Sequence, residues 1–526
     1  TDTTTAIQVD NVLTSSNIGP GNTISSSTTG ILLKNCSNIP ITGNTISASG
    51  TGIVVENCGS PVSGNNVNQG SGGTGINVKN GTYQLSGNTI SGYAVGIDAQ
   101  SSTSTMNGNT LLGNVLPGPM NNIGVKAMNG SFVISNGNVF SKLSQGIQSV
   151  STGGQTTLNI NTNTFTENDT GVYLSVQPSD AIILVNNLFD QTNSIALSAN
   201  AAGSAVPDNV VIDARDNYWD QANLWGNQDC NLIDQKIFDY EDGGARVKFN
   251  RILETPYPAG ELVDKCTPVL MVHGVLSDDA IWDGAENTMT IEGMRTYRVG
   301  SETGEPGLVP NDGPIQVLAG QLDDAVESVR EKTGDVQIDI LAHSMGGLVA
   351  RYYSTTPLYP GKNSLRKLVM LGTPNEGSPI VDTDVAQFFA GIIGGSSGHI
   401  ALQQMTPGSP FLSSLNNSIP APIDYTAVAG AETNPIVLLL APSLIPYFIE
   451  HANDTVVPVE SVNFLSGTCY QAPLVHSAPL GPSYYDDSTS LNQTISMLQS
   501  ELIPWLNCSE PVPSSLTGAA TINGKN

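Results

Sequence analysis

The chain has 526 residues, more than one hydrophobic core ordinarily organises, so two or more domains are expected. Its 46 acidic against 19 basic residues give a net charge of −27, which argues against nucleic acid or anionic membrane surfaces as partners. The most apolar stretch, Pro435 to Ile449, is shorter than the ~20 residues of a membrane span and is broken by three prolines, so no transmembrane helix is expected.

Thr1 opens the chain with no charged, apolar leader behind it, so the expected form is a secreted, mature product from which any export signal has been removed. From there to about residue 225 the sequence repeats. Gly21-Asn22-Thr23-Ile24 returns as Gly43-Asn44-Thr45-Ile46, Gly64-Asn65-Asn66-Val67, Gly87-Asn88-Thr89-Ile90 and Gly108-Asn109-Thr110-Leu111, with looser copies at Asn138, Asn163, Asn187 and Asn217. A second element, glycine before Ile or Val, begins at Gly30, Gly52, Gly75, Gly96, Gly124, Gly146 and Gly171. Segments of three to five residues between Gly, Asn and Ser turns predict two short strands per period. One such coil buries too little alone, but stacked coils share an apolar interior, and aligned asparagines can hydrogen-bond along the stack. The repeat resembles a right-handed parallel β-helix, with Asp216-Asn217-Tyr218-Trp219 and the polar segment to about Arg251 as the last coil and cap. Asp213, Asp216 and Asp220 form the densest acidic group there, but basic residues are few before residue 225, so a spacer or polymer-binding surface is the better reading than a glycosidase or lyase site.

Six cysteines suit an oxidising compartment. The expected pairs, with connectivity open, are Cys36–Cys58 on neighbouring coils, Cys230–Cys266 at the domain junction and Cys469–Cys508 near the C-terminus.

After Cys266 the composition shifts to Leu, Val and Pro. Pro268 to Val272 reads as a buried strand ending in His273-Gly274, Ile315 to Val329 as an amphipathic helix, Gln337 to Leu341 as a strand, and Lys367 to Leu371 as another. Strands alternating with helices imply a mostly parallel sheet. The middle strand runs into Ala342-His343-Ser344-Met345-Gly346-Gly347 and then a helix. That is the setting of a nucleophile elbow, in which small residues flank a strained serine. This segment resembles the AHSxG elbow of bacterial lipases, a group within the α/β-hydrolases. The resemblance covers about residues 266–505, including Gly372-Thr373-Pro374-Asn375-Glu376-Gly377-Ser378 and the stretch from Thr406 to Asn416.

The resemblance implies a serine carboxylic-ester hydrolase with nucleophile Ser344 and the triad order serine, acid, histidine. His273 and His343 precede the serine, which leaves His399, His451 and His476 as bases. Asn453-Asp454-Thr455-Val456-Val457-Pro458 is similar to the family's D-G-V-V-P acid segment, and only His476 follows it. Asp454 and His476 are therefore the expected acid and base, with Asp424 and Glu432 as alternative acids. Val275 and Met345 are the implied backbone oxyanion donors. Trp282, Phe388 and Phe389 are candidate pocket walls, with core packing the competing role for Trp282. Ile380 to Leu402 is a candidate lid. No cofactor is required. Asp486 and Asp487 are more readily read as a solvated turn than as calcium ligands.

The expected organisation is a β-helix with cap over 1–253, a linker over 254–265, an α/β-hydrolase over 266–508 and a flexible tail over 509–526. The expected substrates are lipids, small esters or polyesters. The alternative is a cell-surface or polysaccharide-binding β-helix whose hydrolase deacylates a bound polymer.

Overall fold

The computed structural model describes residues 3–12, 16–68, 72–113, 122–201, 210–275, 277–300, 313–382, 395–431, 452–464, 468–474, 476 and 483–499. The chain forms two compact units: Thr1–Cys266 with Glu331–Val336, and Thr267–Arg330 with Gln337–Asn526.

The first unit is a parallel β-helix. Isoleucine and its close relatives alternate with polar residues, so each short strand turns its alternate side chains inward. Parallel pairing then stacks Ile53 on Ile76, Ile76 on Ile97 and Ile97 on Val125 in register. Each regular coil contributes three strands, not the two predicted, as in Thr74–Lys79, Thr82–Ser86 and Thr89–Ser91. The additional strand recurs at Thr103–Asn107, Ser131–Ser135 and Thr157–Asn161. It keeps the inward alternation (Tyr83 and Leu85, Phe132 and Ile134, Leu158 and Ile160 are buried) but carries no Gly-Asn or Gly-Ile signature, so a search on those two repeated elements passes over it.

The asparagine of each repeat is an interior polar ladder. Side-chain amides connect Asn22 to Asn44, Asn44 to Asn65, Asn65 to Asn88 and Asn88 to Asn109 at 2.9–3.0 Å. The looser copies continue it from Asn109 through Asn138, Asn163 and Asn187 to Asn217. From Asn44 onward each amide also reaches a backbone carbonyl, such as Val62 O from Asn88 at 2.8 Å, so these buried amides are satisfied at the turns. The glycine of the second repeat element is dictated by close approach. A Cβ on Gly96 would lie 2.6 Å from the Gly124 carbonyl of the next coil. Towards the C-terminal coils, Phe140, Phe165, Phe189 and Trp219 stack at 4.8–4.9 Å between ring centroids, and Phe249 meets Trp219 edge-on.

Disulfides join Cys36 to Cys58 and Cys230 to Cys266, and the third expected pair involves Cys508, outside the described residues. Each member of the acidic group at the end has a partner: Arg215 holds Asp213, Arg251 holds Asp216 and Tyr218 donates to Asp220. In the segment expected as linker, Leu262–Asp264 pairs antiparallel with Arg251–Leu253.

The second unit is built on six parallel strands in the order Thr296–Arg298, Val269–Val272, Ile338–His343, Leu365–Leu371, Asp424–Gly430 and Thr468–Ala472. Both faces are covered, and that is why these strands read as continuous apolar runs. Leu270, Val272, Ile340, Ala342, Leu368 and Met370 pack with the helices Ile315–Thr333 and Met345–Thr355. The alternate residues Val269, Met271, Leu341, Val369 and Leu371 face Asp283–Ile291 and Ser488–Gln499. Among the described residues no helix is long and apolar enough to cross a membrane.

Candidate active site

Ser344 stands between the central strand and the helix Met345–Thr355, with φ 54° and ψ −127°. A non-glycine residue at positive φ is strained, and the strain is held by packing on both sides. Gly346 passes so close to the neighbouring strand that a Cβ would meet the His273 carbonyl at 2.6 Å, and Gly274 lies against Ser344 from the same strand end. Ala342, where the usual elbow carries glycine, is fully buried without difficulty in the sheet core.

Three distant segments converge on this turn. His476 Nε2 is 2.9 Å from Ser344 Oγ, and His476 Nδ1 is 2.8 Å from Asp454 Oδ2. A carboxylate only accepts, so Nδ1 carries the proton and Nε2 is left to accept from the serine hydroxyl. Asp454 is fully buried. Its Oδ1 accepts the backbone N–H groups of Val456 (3.0 Å) and Val457 (2.7 Å), while Oδ2 also accepts the Tyr484 hydroxyl at 2.6 Å. A backbone bond from His476 N to Asp454 O ties the two loops together. Thr455 occupies the glycine position of the resembled acid segment and adopts φ 85°.

His343 does not pair with the serine. Its Nε2 donates to the backbone carbonyl of His476 at 2.9 Å, and its ring lies 4.8 Å from that of His476. Burial, reinforced by the neighbouring His476, holds its pKa well below the usual imidazole range, so it stays neutral. Sequence reading assigned His343 to the elbow without a task and gave Tyr484 no place. The tyrosine sits in an acidic turn with no motif around it, and only its contact with Asp454 reveals it.

The remaining expected residues separate. Val275 is half-buried and follows Gly274, while Met345 follows Ser344 at the helix start and is buried. Trp282 is fully enclosed, its ring 6.1 Å from Tyr485 in the core between sheet and helices, the packing position that competed with the pocket reading. Phe388, Phe389, Glu432 and His451 lie outside the described residues, as does residues 383–394 of the expected lid. The lid's flanks are packed: Ile380, Val381, Ala401 and Leu402 join the sheet core. Asp424 is exposed at the start of its strand, paired in register with Lys367 and remote from the serine end. His399 falls within the helix Gly395–Met405. Asp486 accepts the Ser483 hydroxyl, and Asp487 accepts the Ser490 N–H at the start of the last helix. A cavity of about 750 Å³ bordered by Tyr352, Ile400, Gln404, Phe411 and Leu415 touches none of Ser344, His476 or Asp454.

Arg351, on the helix that follows Ser344, ties together the two other lipase-like segments. It donates to Asn375 Oδ1 at 2.9 Å and to Asn416 Oδ1 at 3.0 Å, one residue in each segment. Burial lowers its pKa to about 10. Replacing it with methionine relieves the desolvated charge but strands two amide oxygens. The expected net effect is a loss of about 1–3 kcal/mol in urea unfolding of this unit; an unchanged midpoint would count against the tie.

A covered parallel sheet carrying a strained serine at a strand-to-helix turn, with histidine and aspartate bonded behind it, defines the α/β-hydrolase class. Residues 29–189 match the family described as right handed beta helix region, and residues 319–401 match that described as PGAP1-like alpha/beta domain. Over 121 residues, 22% of this chain, it is 27% identical to a triacylglycerol lipase of Pseudarthrobacter phenanthrenivorans and equally to one of Burkholderia plantarii. The alignment spans about a third of those relatives, 35% and 31% of their lengths. Among solved structures, a mature Bacillus licheniformis lipase is 18% identical, covering 47% of this chain and 96% of that one with a TM-score of 0.36. A metagenomic carboxyl esterase is 17% identical, covering 46% and 79% with a TM-score of 0.36. The protein is thus an N-terminal right-handed β-helix joined to a C-terminal α/β-hydrolase domain with lipase homology.

Proposed function

We propose that this chain hydrolyses carboxylic esters through an acyl-enzyme on Ser344. The observation that carries the reading is the continuous hydrogen-bond chain from Ser344 through His476 to Asp454 at the strained turn. Serine is a poor nucleophile until a base accepts its proton. In this reading Ser344 Oγ attacks the ester carbonyl while its proton passes to His476 Nε2. Asp454 holds the imidazole in the productive tautomer and stabilises the imidazolium. The tetrahedral oxyanion is met by the backbone N–H groups of Val275 and Met345, the first donor following Gly274, which packs against Ser344. His476 then gives its proton to the departing alcohol, and a water repeats the sequence to release the acid. Hydroxyl, imidazole and carboxylate suffice, so the reading needs no cofactor.

The β-helix is read as a targeting or spacer domain that holds the hydrolase near an insoluble or polymeric ester. Two disulfides support an extracellular setting. The test is covalent: a fluorophosphonate probe should inactivate the protein against p-nitrophenyl esters and add its mass to the peptide containing Ser344. Labelling of another residue, or an unmodified Ser344 in protein that still hydrolyses the esters, would overturn the assignment.

A further inference from the structure

Tyr484 lies against the acid, with its ring 6.4 Å from that of His476 and 5.8 Å from that of His343. Its hydroxyl donates to Asp454 Oδ2 at 2.6 Å, the same oxygen that accepts His476 Nδ1, and itself accepts the Gly430 N–H at 2.7 Å. The side chain is fully buried. Its ring fills the space beside Gly372, where a Cβ would strike it at 2.8 Å, and Gly372 itself adopts φ +57°. The ends of two sheet strands are therefore shaped around this one phenol. Asp454 Oδ1 is already fixed by two backbone N–H groups, so the carboxylate does not need the tyrosine simply to keep its place.

We propose that Tyr484 is a positioning residue that sets the basicity of His476 by sharing the negative charge of Asp454 Oδ2. The inference rests on the acyl-enzyme reading above. A second donor on Oδ2 draws charge from the oxygen that stabilises the imidazolium, so the base gives up its proton more readily. Burial, with Asp454 adding to it, pushes the Tyr484 phenol well above its ordinary pKa, so it stays a donor through the working range. The titratable groups facing the pair among the described residues are His343 against the His476 ring, with Tyr484 and Tyr485 beyond it and His273 nearby. His343, Tyr485 and His273 are unchanged when only position 484 is altered.

The test is the acid limb of kcat/KM against pH on the full chain, per active site titrated with the fluorophosphonate. Tyr484→Phe removes the donor, so the limb should move to higher pH by roughly 0.5–1 unit, with KM little changed because the ring is buried away from substrate. Site-specific 3-fluorotyrosine at the same position is a stronger donor and should move the limb to lower pH. It also keeps the Gly430 acceptor if the phenylalanine variant folds poorly. Opposite shifts are what a packing role cannot produce. Limbs that stay in place, or both move the same way, overturn the inference. Such a result would leave the acyl-enzyme reading standing, provided Ser344 is labelled and Ser344→Ala is inactive. Hydrolysis that survives Ser344→Ala would remove both.

Discussion

Ser344→Ala, His476→Ala and the double variant should each lower kcat on p-nitrophenyl esters by about a million-fold, and by the same amount. The equality is the informative part. Once the hydroxyl is gone, the imidazole 2.9 Å away has no proton to accept, and once the imidazole is gone the hydroxyl has no base. The groups act as one device, so their losses do not add. Asp454→Asn is expected to cost less, about ten-thousand-fold, because an amide keeps the shape while favouring the wrong imidazole tautomer. Initial rates with each variant decide the matter. A double variant slower than either single by the product of their effects would mean that the two side chains act independently, contrary to the geometry.

In the other unit the largest expected effect is on stability. Asn163→Leu should lower the β-helix unfolding free energy by about 2–5 kcal/mol, although the branching of the side chain is kept. Asn163 Nδ2 donates to the Ile134 carbonyl at 2.8 Å and to Asn187 Oδ1 at 3.0 Å, and its Oδ1 accepts from Asn138 at 2.8 Å. Leucine withdraws all three bonds at a buried site and leaves their partners short. Because each coil is held only by its neighbours, the defect weakens the interfaces on both sides. Calorimetry should show the β-helix transition falling, while Thr164→Ala, next to it and half-buried, should change it by no more than about 0.5 kcal/mol. Equal behaviour of the two variants would show that the ladder is dispensable.

Much of the site was legible because chemistry at an elbow is local. Ser344 is fixed by a strand before it, a helix after it and small residues where the backbone must turn. His476 followed from order along the chain, being the last histidine and the only one after Asp454. Asp454 kept rivals in the sequence, since nothing local separates one late acid from another. Asp424 is set aside by register, at the opposite end of its strand from the elbow. Trp282 shows the reverse case: an aromatic near an oxyanion loop reads equally well as pocket or core in the sequence, and its complete enclosure is visible only in the fold.

The sequence by itself determined the two architectures, because both rest on periodicity. A repeated asparagine and glycine can be satisfied only by stacked coils, and alternating buried strands and helices only by a covered parallel sheet. It singled out Ser344 as the candidate nucleophile through short-range backbone demands, and His476 as its candidate base through order along the chain. Tertiary structure alone decided the third strand of each coil, whose inward residues vary freely as long as they are buried. It alone placed Arg351 between two lipase-like segments, turned His343 onto the His476 backbone and set Tyr484 against the acid. These contacts join residues whose spacing carries no period, and only closure of the sheet brings their donors and acceptors together.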